Sequence, residues 1–399
     1  MKYVIVLGDG MADEPIAELG NKTPLEYANT PYMDELASVS EIGLAKTIPD
    51  GMKPGSDVAN LAVLGYYPKK YYSGRSPLEA LSIGVDLSDT DIAIRTNLVT
   101  ISDDDNPFED KKIIDHSSSE ISTEDAKVLL DAVKENIKVP GYTFYLGTSY
   151  RHLCIWDKGE VVDLVQPHDV LGQTIGKHLP KNQDFVDMMK KSYEILNNHP
   201  INVERAKKGL NKANCLWFWG AGTKPSLDSF EEKTKLKGVM ISAVDLLKGI
   251  AVGANMTNID VEGANGTLET NYEGKAYAAV KALTEDDYDF AYIHIEAPDE
   301  MGHQGSVERK IKAIENIDER VIKILFEEFQ KKGVEYRMLV MPDHPTPIRC
   351  RTHTSNPVPY MIYDNTNKIL SGLKYNEKDA AKTDNFIEEG YKTIDKLIG

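Results

Sequence analysis

Residues 290–344 read FAYIHIEAPDEMGHQGSVERKIKAIENIDERVIKILFEEFQKKGVEYRMLVMPDH. The stretch opens on a β-rich apolar run, residues 290–295, that stops at Glu296-Ala297-Pro298-Asp299. It closes on a second run, residues 338–341, that stops at Pro342-Asp343-His344. Between them Ile311, Ile314, Ile317, Val321, Ile324 and Leu325 recur at helical spacing, which predicts one amphipathic helix over residues 307–331. Strand, helix and strand then form a right-handed parallel crossover. A third run of the same kind, residues 4–7, ends in Gly8-Asp9-Gly10. Short apolar runs alternating with longer amphipathic stretches make the chain α/β, with a mostly parallel sheet flanked by helices.

The middle of the chain has a different texture. Residues 71–225 carry an acidic loop (Ser102-Asp103-Asp104-Asp105), short β-rich pieces at 92–100 and 142–146, and a helical stretch at 124–134. That length is domain-sized. It predicts a smaller inserted α+β domain over 71–225, with the parallel-sheet core assembled from 1–70 and 226–399. No repeat of 20–50 residues interrupts this plan.

Composition narrows the function classes. Of 399 residues, 63 are Asp or Glu and 46 are Lys or Arg, a formal charge of −17. So acidic a chain lacks the basic footprint that nucleic acids and anionic membranes require. No apolar run approaches the roughly 20 residues of a membrane span. The apolar segment at 3–7 is too short for a signal-peptide core. Cys154, Cys215 and Cys350 are widely spaced and form no CxxC pair, so they read as free thiols of a reducing, cytoplasmic compartment. The expected protein is soluble, a monomer or small homo-oligomer, with no nucleic-acid or membrane partner.

Asp9, Asp299 and Asp343 each follow one of the three apolar runs. In open parallel sheets ligands bind beyond the carboxyl ends of the strands. Three carboxylates converging there repel one another unless cations hold them. His303, four residues after Asp299, together with His344 and His353 adds imidazole to the set. Mixed carboxylate and imidazole ligands suit Mn²⁺, Zn²⁺ or similar ions better than Ca²⁺. Ser56, in Pro54-Gly55-Ser56-Asp57-Val58, stands before an apolar-periodic segment and so at a helix N-terminus. There it reads either as an N-cap or as a nucleophile whose hydroxyl a metal could activate.

Asp9, PGSDVANLAVLGY (54–66), APDEMGHQGSVERKIKAIENID (297–318) and MPDHPTPIRCRTHTSNPVP (341–359) together resemble the cofactor-independent phosphoglycerate mutases of the archaeal type, members of the alkaline phosphatase superfamily. The resemblance runs almost end to end. It implies an alkaline phosphatase-like core that binds two divalent ions, Mn²⁺ first, with Mg²⁺, Zn²⁺ or Co²⁺ as alternatives. Asp9, Ser56, Asp343 and His344 would hold one ion and Asp299, His303 and His353 the other. Ser56 would receive the phosphoryl group, and Lys248 resembles a family lysine that contacts it. The implied reaction interconverts 3- and 2-phosphoglycerate through phosphoserine, with a second domain keeping water away.

A small phosphorylated substrate also needs cationic groups outside the metal cluster. Arg95, Arg151, His152 and His168 in the insertion, and Arg75 near its start, are the candidates. The chain departs from the archaeal-type pattern at Glu120 and Trp219, where that pattern carries Arg. It is similar there to a bacterial branch proposed to phosphorylate homoserine. An ATP-dependent homoserine kinase using the same metal site is therefore the alternative reading.

Overall fold

The computed structural model describes residues 1–399. Thirteen strands occur in chain order. The first seven are β1 (Lys2–Gly8), β2 (Glu41–Ala45), β3 (Ile92–Ile101), β4 (Ile113–Asp115), β5 (Tyr142–Tyr145), β6 (Arg151–Trp156) and β7 (Cys215–Thr223). The remaining six are β8 (Gly238–Ile241), β9 (Thr257–Asn258), β10 (Phe290–Ile295), β11 (Tyr336–Met341), β12 (Val358–Asp364) and β13 (Phe386–Ile387). The chain divides into two compact units, one formed by Met1–Tyr72 with Ser226–Gly399 and the other by Ser73–Pro225.

The first unit is built on an eight-stranded sheet in the order β13-β2-β12-β11-β1-β10-β8-β9. The central strands β11, β1, β10 and β8 run parallel, and β12 pairs antiparallel with both β11 and β2. Strands buried on both faces read as continuous apolar runs, which is why Val4, Val6, Ile293 and Val340 are all fully enclosed. The register sets Leu7 beside both His294 and Met341. The three apolar runs therefore end at one edge of the sheet, and the polar residues that follow them emerge together.

The amphipathic stretch after β10 is not one uninterrupted α-helix. It runs as helix Val307–Ile317, a π-helical turn Asp318–Ile322 and helix Lys323–Lys332. The apolar spacing is compatible with either form, because Ile317, Val321 and Leu325 stay on the buried face. In the π-turn Asp318 accepts hydrogen bonds from Met33 N at 2.6 Å and Tyr32 N at 3.3 Å, satisfying open N–H groups of helix Pro31–Ala37.

The second unit carries a five-stranded antiparallel sheet, β4-β3-β6-β5 with β7 also on β3. Helices Thr123–Asn136 and Gln183–Leu196 cover one face through Leu129, Val133, Phe185 and Met189. Ala80 of helix Arg75–Ser82 packs with Ala93, Leu153 and Ile155 on the other. No helix of either unit is long and apolar enough to cross a membrane.

Candidate active site

Asp9 follows β1, Asp343 follows β11 by two residues, and Asp299 lies in the first turn of helix Ala297–Gln304, which begins just after β10. All three are buried. Gly10 makes the convergence possible: its φ is +58°, and a Cβ there would come within 2.5 Å of both Asp299 Oδ1 and Thr346 Oγ1. Its N–H donates to Asp343 Oδ1 at 3.1 Å.

Two groups of donor atoms result. His344 Nε2 lies 3.5 Å from Asp9 Oδ1 and 3.3 Å from Asp343 Oδ2. Ser56 Oγ is 3.0 Å from His344 Nε2 and 3.5 Å from Asp9 Oδ2. Alongside, His303 Nε2 is 3.2 Å from Asp299 Oδ2 and 3.0 Å from His353 Nε2, and His353 Nε2 is 3.5 Å from Asp299 Oδ1. The rings of His344 and His353 are 4.1 Å apart, so the two groups adjoin.

The protons on these rings can be placed by their partners. His303 Nδ1 is 2.9 Å from the Arg351 carbonyl, which only accepts, so Nδ1 carries the proton and Nε2 offers a lone pair in the neutral ring. His344 Nδ1 faces Thr346 Oγ1 at 3.3 Å, and that hydroxyl hydrogen-bonds Asp299 Oδ1. The hydroxyl gives its proton to the carboxylate and accepts from Nδ1, which leaves His344 Nε2 bare toward Ser56 and the two carboxylates.

The electrostatics of the bare cluster are unfavourable. Asp9, Asp343 and His344 offer donor atoms all within 4.8 Å of one another. Two unit charges at that spacing repel by about 3 kcal/mol at an effective dielectric constant near 20. Burial, then the charges of Asp343, Asp299 and Glu296, push the Asp9 carboxyl well above its usual range. Burial also opposes a charge on His303, yet the Asp299 carboxylate outweighs it and pushes the ring up to about 9. Asp9 Oδ1 is buried with no hydrogen-bond partner. Lone pairs converging from both groups, with an orphaned carboxylate oxygen among them, fit divalent cations.

Ser56 is the first residue of helix Ser56–Val63 and Gly55 is its N-cap, so the Ser56 hydroxyl is not the capping group and instead faces Asp9 and His344. Asn60, one turn on, is fully buried and holds this helix to the cluster. Its Nδ2 donates to Ser56 O at 2.8 Å and to Asp343 Oδ2 at 2.8 Å, while its Oδ1 accepts from Tyr292 OH at 2.6 Å. Asn60, Tyr292, Thr346 and His294 escaped the reading of the sequence. The signals for two of them were a single Asn inside an apolar helix and a single His inside an apolar strand.

Lys248 Nζ lies 2.6 Å from Asp260 Oδ1. In the second unit, Arg75 Nε and Arg95 Nη1 both reach Glu79 Oε1, at 2.9 and 2.8 Å. Arg95 also lies 4.7 Å over the Trp219 ring, whose Nε1 donates to Asn97 Oδ1 at 3.0 Å. The His168 ring is 5.6 Å from Trp219. Burial raises the Glu79 carboxyl, but Arg95, Arg75 and Arg151 more than offset it and hold it below its ordinary value. Three guanidiniums around one carboxylate leave a net positive group. His152 stands apart from it. It pairs with Thr96, one position along from Arg95, and so points to the other sheet face. Its Nδ1 accepts from Gly147 N at 3.2 Å, and burial pulls the ring down to about 3.

Comparison with known proteins decides the family. Residues 1–389 match the model of the Metalloenzyme superfamily. A protein from Geobacter sulfurreducens named probable 2,3-bisphosphoglycerate-independent phosphoglycerate mutase is 45% identical over 404 residues, covering 100% of both chains. The mutase of that name from Methanosarcina barkeri is 46% identical over 387 residues, 96% of this chain and 95% of its own. The chain belongs to this mutase family. The solved PH0037 protein of Pyrococcus horikoshii superposes on it with a TM-score of 0.80 at 31% identity, covering 100% of this chain and 96% of that one. The Metalloenzyme assignment and the Asp/His groups together support binding of divalent metal.

Proposed function

We propose that the chain interconverts 3-phosphoglycerate and 2-phosphoglycerate, passing the phosphoryl group through Ser56. The observation that carries this reading is the placement of Ser56 Oγ, on the first residue of a helix and 3.0 Å from the bare Nε2 of His344. A helix N-terminus favours the negative charge of a phosphoryl group. Asp9, Ser56, Asp343 and His344 would hold one ion, and Asp299, His303 and His353 the other, with Mn²⁺ the proposed metal. Such ions supply charge neutralisation and favour the deprotonated form of the serine hydroxyl.

Ser56 Oγ forms a bond to phosphorus while the bond from phosphorus to the C3 oxygen breaks. Overall, the serine proton passes to the departing hydroxyl. In the second half the C2 oxygen bonds to phosphorus as the bond from phosphorus to Ser56 Oγ breaks, and overall the C2 hydroxyl proton passes to Ser56 Oγ. Asn60 fixes the Ser56 backbone to Asp343 throughout, so the nucleophile does not drift from its partners. Arg75, Arg95 and Arg151 are proposed to take an anionic group of the substrate, for which planar guanidinium forks are suited. His152 is buried and accepts from Gly147 N, and it has no part in this scheme.

The relatives described above carry the mutase name, which favours this reaction over homoserine phosphorylation. Following purified protein with Mn²⁺ by ³¹P NMR tests the choice. Conversion of 3-phosphoglycerate to 2-phosphoglycerate without added bisphosphoglycerate is expected. O-phosphohomoserine formed from ATP and homoserine, with phosphoglycerate untouched, would overturn it.

A further inference from the structure

Asp9 meets its surroundings with two chemically different oxygens. Oδ2 is 2.8 Å from His294 Nε2, whereas Oδ1 is buried, has no hydrogen-bond partner and lies 3.5 Å from His344 Nε2. His294 is fully buried in β10, in register with Leu7, two residues before Asp9. Its other nitrogen, Nδ1, is 3.2 Å from Ser242 Oγ, one residue beyond β8. Ser242 Oγ also accepts from Val244 N at 3.0 Å.

The direction of each hydrogen bond follows from the donors present. As a metal ligand Asp9 is ionised and its carboxylate only accepts, so His294 Nε2 carries a proton. In a neutral ring Nδ1 is then a lone pair, and the Ser242 hydroxyl, already accepting from Val244, has its own proton to donate there. A second ring proton would put positive charge out of water close to the Lys275 ammonium, which donates to His294 O at 2.9 Å.

We infer that the Ser242–His294 pair sorts the two oxygens of Asp9, engaging Oδ2 and presenting Oδ1 to a cation, so that His294 is a positioning residue for this ligand. Without it the carboxylate is free to turn about its Cβ–Cγ bond and offer either oxygen. The inference rests on the metal reading proposed above and extends it beyond the ligands themselves.

Calorimetric titration of the EDTA-stripped full chain with Mn²⁺ tests it, with thermal unfolding recorded in parallel. Wild type is expected to bind two ions. His294→Leu is expected to weaken one of them about 10–100-fold, the usual effect of losing such a supporting hydrogen bond, and to leave the other unchanged. His294→Gln, whose amide N–H can reach Oδ2, should recover most of that loss, and Ser242→Ala should weaken the same ion by less. Wild-type affinity for both ions in His294→Leu would overturn the inference. Equal losses in the Leu and Gln variants would also overturn it, because they would make the role one of packing. Should His294→Leu fail to fold, Ser242→Ala decides between a weakened ion and wild-type affinity at both. A wild-type chain that takes up no Mn²⁺ would instead overturn the metal reading, and this inference with it.

Discussion

Ser56 Oγ and His344 Nε2 lie 3.0 Å apart, joining the start of a helix to the loop after β11 across 288 residues of sequence. The contact exists because Thr346 engages the opposite nitrogen of the ring and leaves Nε2 without a proton. Removing the hydroxyl should therefore remove the reaction. Ser56→Ala is expected to lower kcat by about 10³-fold or more, as loss of a nucleophile does. Metal analysis of the same preparation should still find both ions, since Asp9, Asp343 and His344 remain. Turnover close to wild type in this variant would exclude Ser56 as the acceptor.

Metal removal should be equally plain. EDTA is expected to inactivate the protein and Mn²⁺ to restore it. Asp343→Asn and His353→Ala each take one donor from a different group, so each should lower the bound metal measured by atomic emission. Two ions per chain in both variants would show that the ligand sets are wrong.

Arg95 rests on the Trp219 face and on Glu79, so its guanidinium is oriented by shape as well as by charge. Lysine reproduces the charge but neither the planar stack nor the fork. Arg95→Lys and Arg95→Ala should both raise KM for phosphoglycerate, by about 10-fold or more, with a smaller effect on kcat. Steady-state kinetics separates the two parameters, and an unchanged KM would remove Arg95 from substrate binding.

Asn60 uses both of its amide N–H donors, on Ser56 O and Asp343 Oδ2, and accepts from Tyr292 OH. Asn60→Leu keeps the volume and leaves Ser56 O, Asp343 Oδ2 and Tyr292 OH each short of a partner. Unsatisfied buried groups cost about 1–3 kcal/mol apiece. A loss of about 3 kcal/mol or more in denaturant unfolding is expected, and a variant as stable as wild type would mean that water replaces the amide.

The three strand-end carboxylates were legible because long apolar runs lead into each of them, and a buried parallel strand has little other sequence form. The parallel sheet followed from the same runs. The π-turn at Asp318–Ile322 was not, because an extra residue in one turn leaves Ile317, Val321 and Leu325 on the buried side. His294 and Asn60 were hidden for a different reason. Each is one polar residue in an apolar segment, and what it bonds to comes from strands and helices far along the chain. Lys248 and His152 show the converse: a residue type that suits a phosphate can be taken by Asp260 or enclosed beside Gly147.

Lys275 supplies a pH-dependent contribution to stability. Its side chain is enclosed, with Nζ donating to His294 O, and burial pulls the ammonium down to about 8 while the charge of Glu296 opposes that fall. The folded value lies below the unfolded one, so between about 8 and 10.4 the unfolded chain binds more protons and stability rises with pH. Below about 8 the cost of burying the charge is fully present, up to about 3 kcal/mol. Lys275→Met is expected to lose this rise. Unfolding curves of both proteins from pH 7 to 10 should differ in slope, and parallel curves would place the ammonium in contact with water.

The most direct test of the whole account is to find the phosphoryl group on the protein. Acid quenching of the Mn²⁺-loaded enzyme during turnover of 3-phosphoglycerate, followed by peptide mass spectrometry, should reveal phosphate on Ser56 in the peptide containing Pro54-Gly55-Ser56. The label should disappear when substrate is exhausted and washed away. Sustained production of 2-phosphoglycerate with no phosphate on Ser56 at any time of quenching, and undiminished turnover by Ser56→Ala, would contradict it.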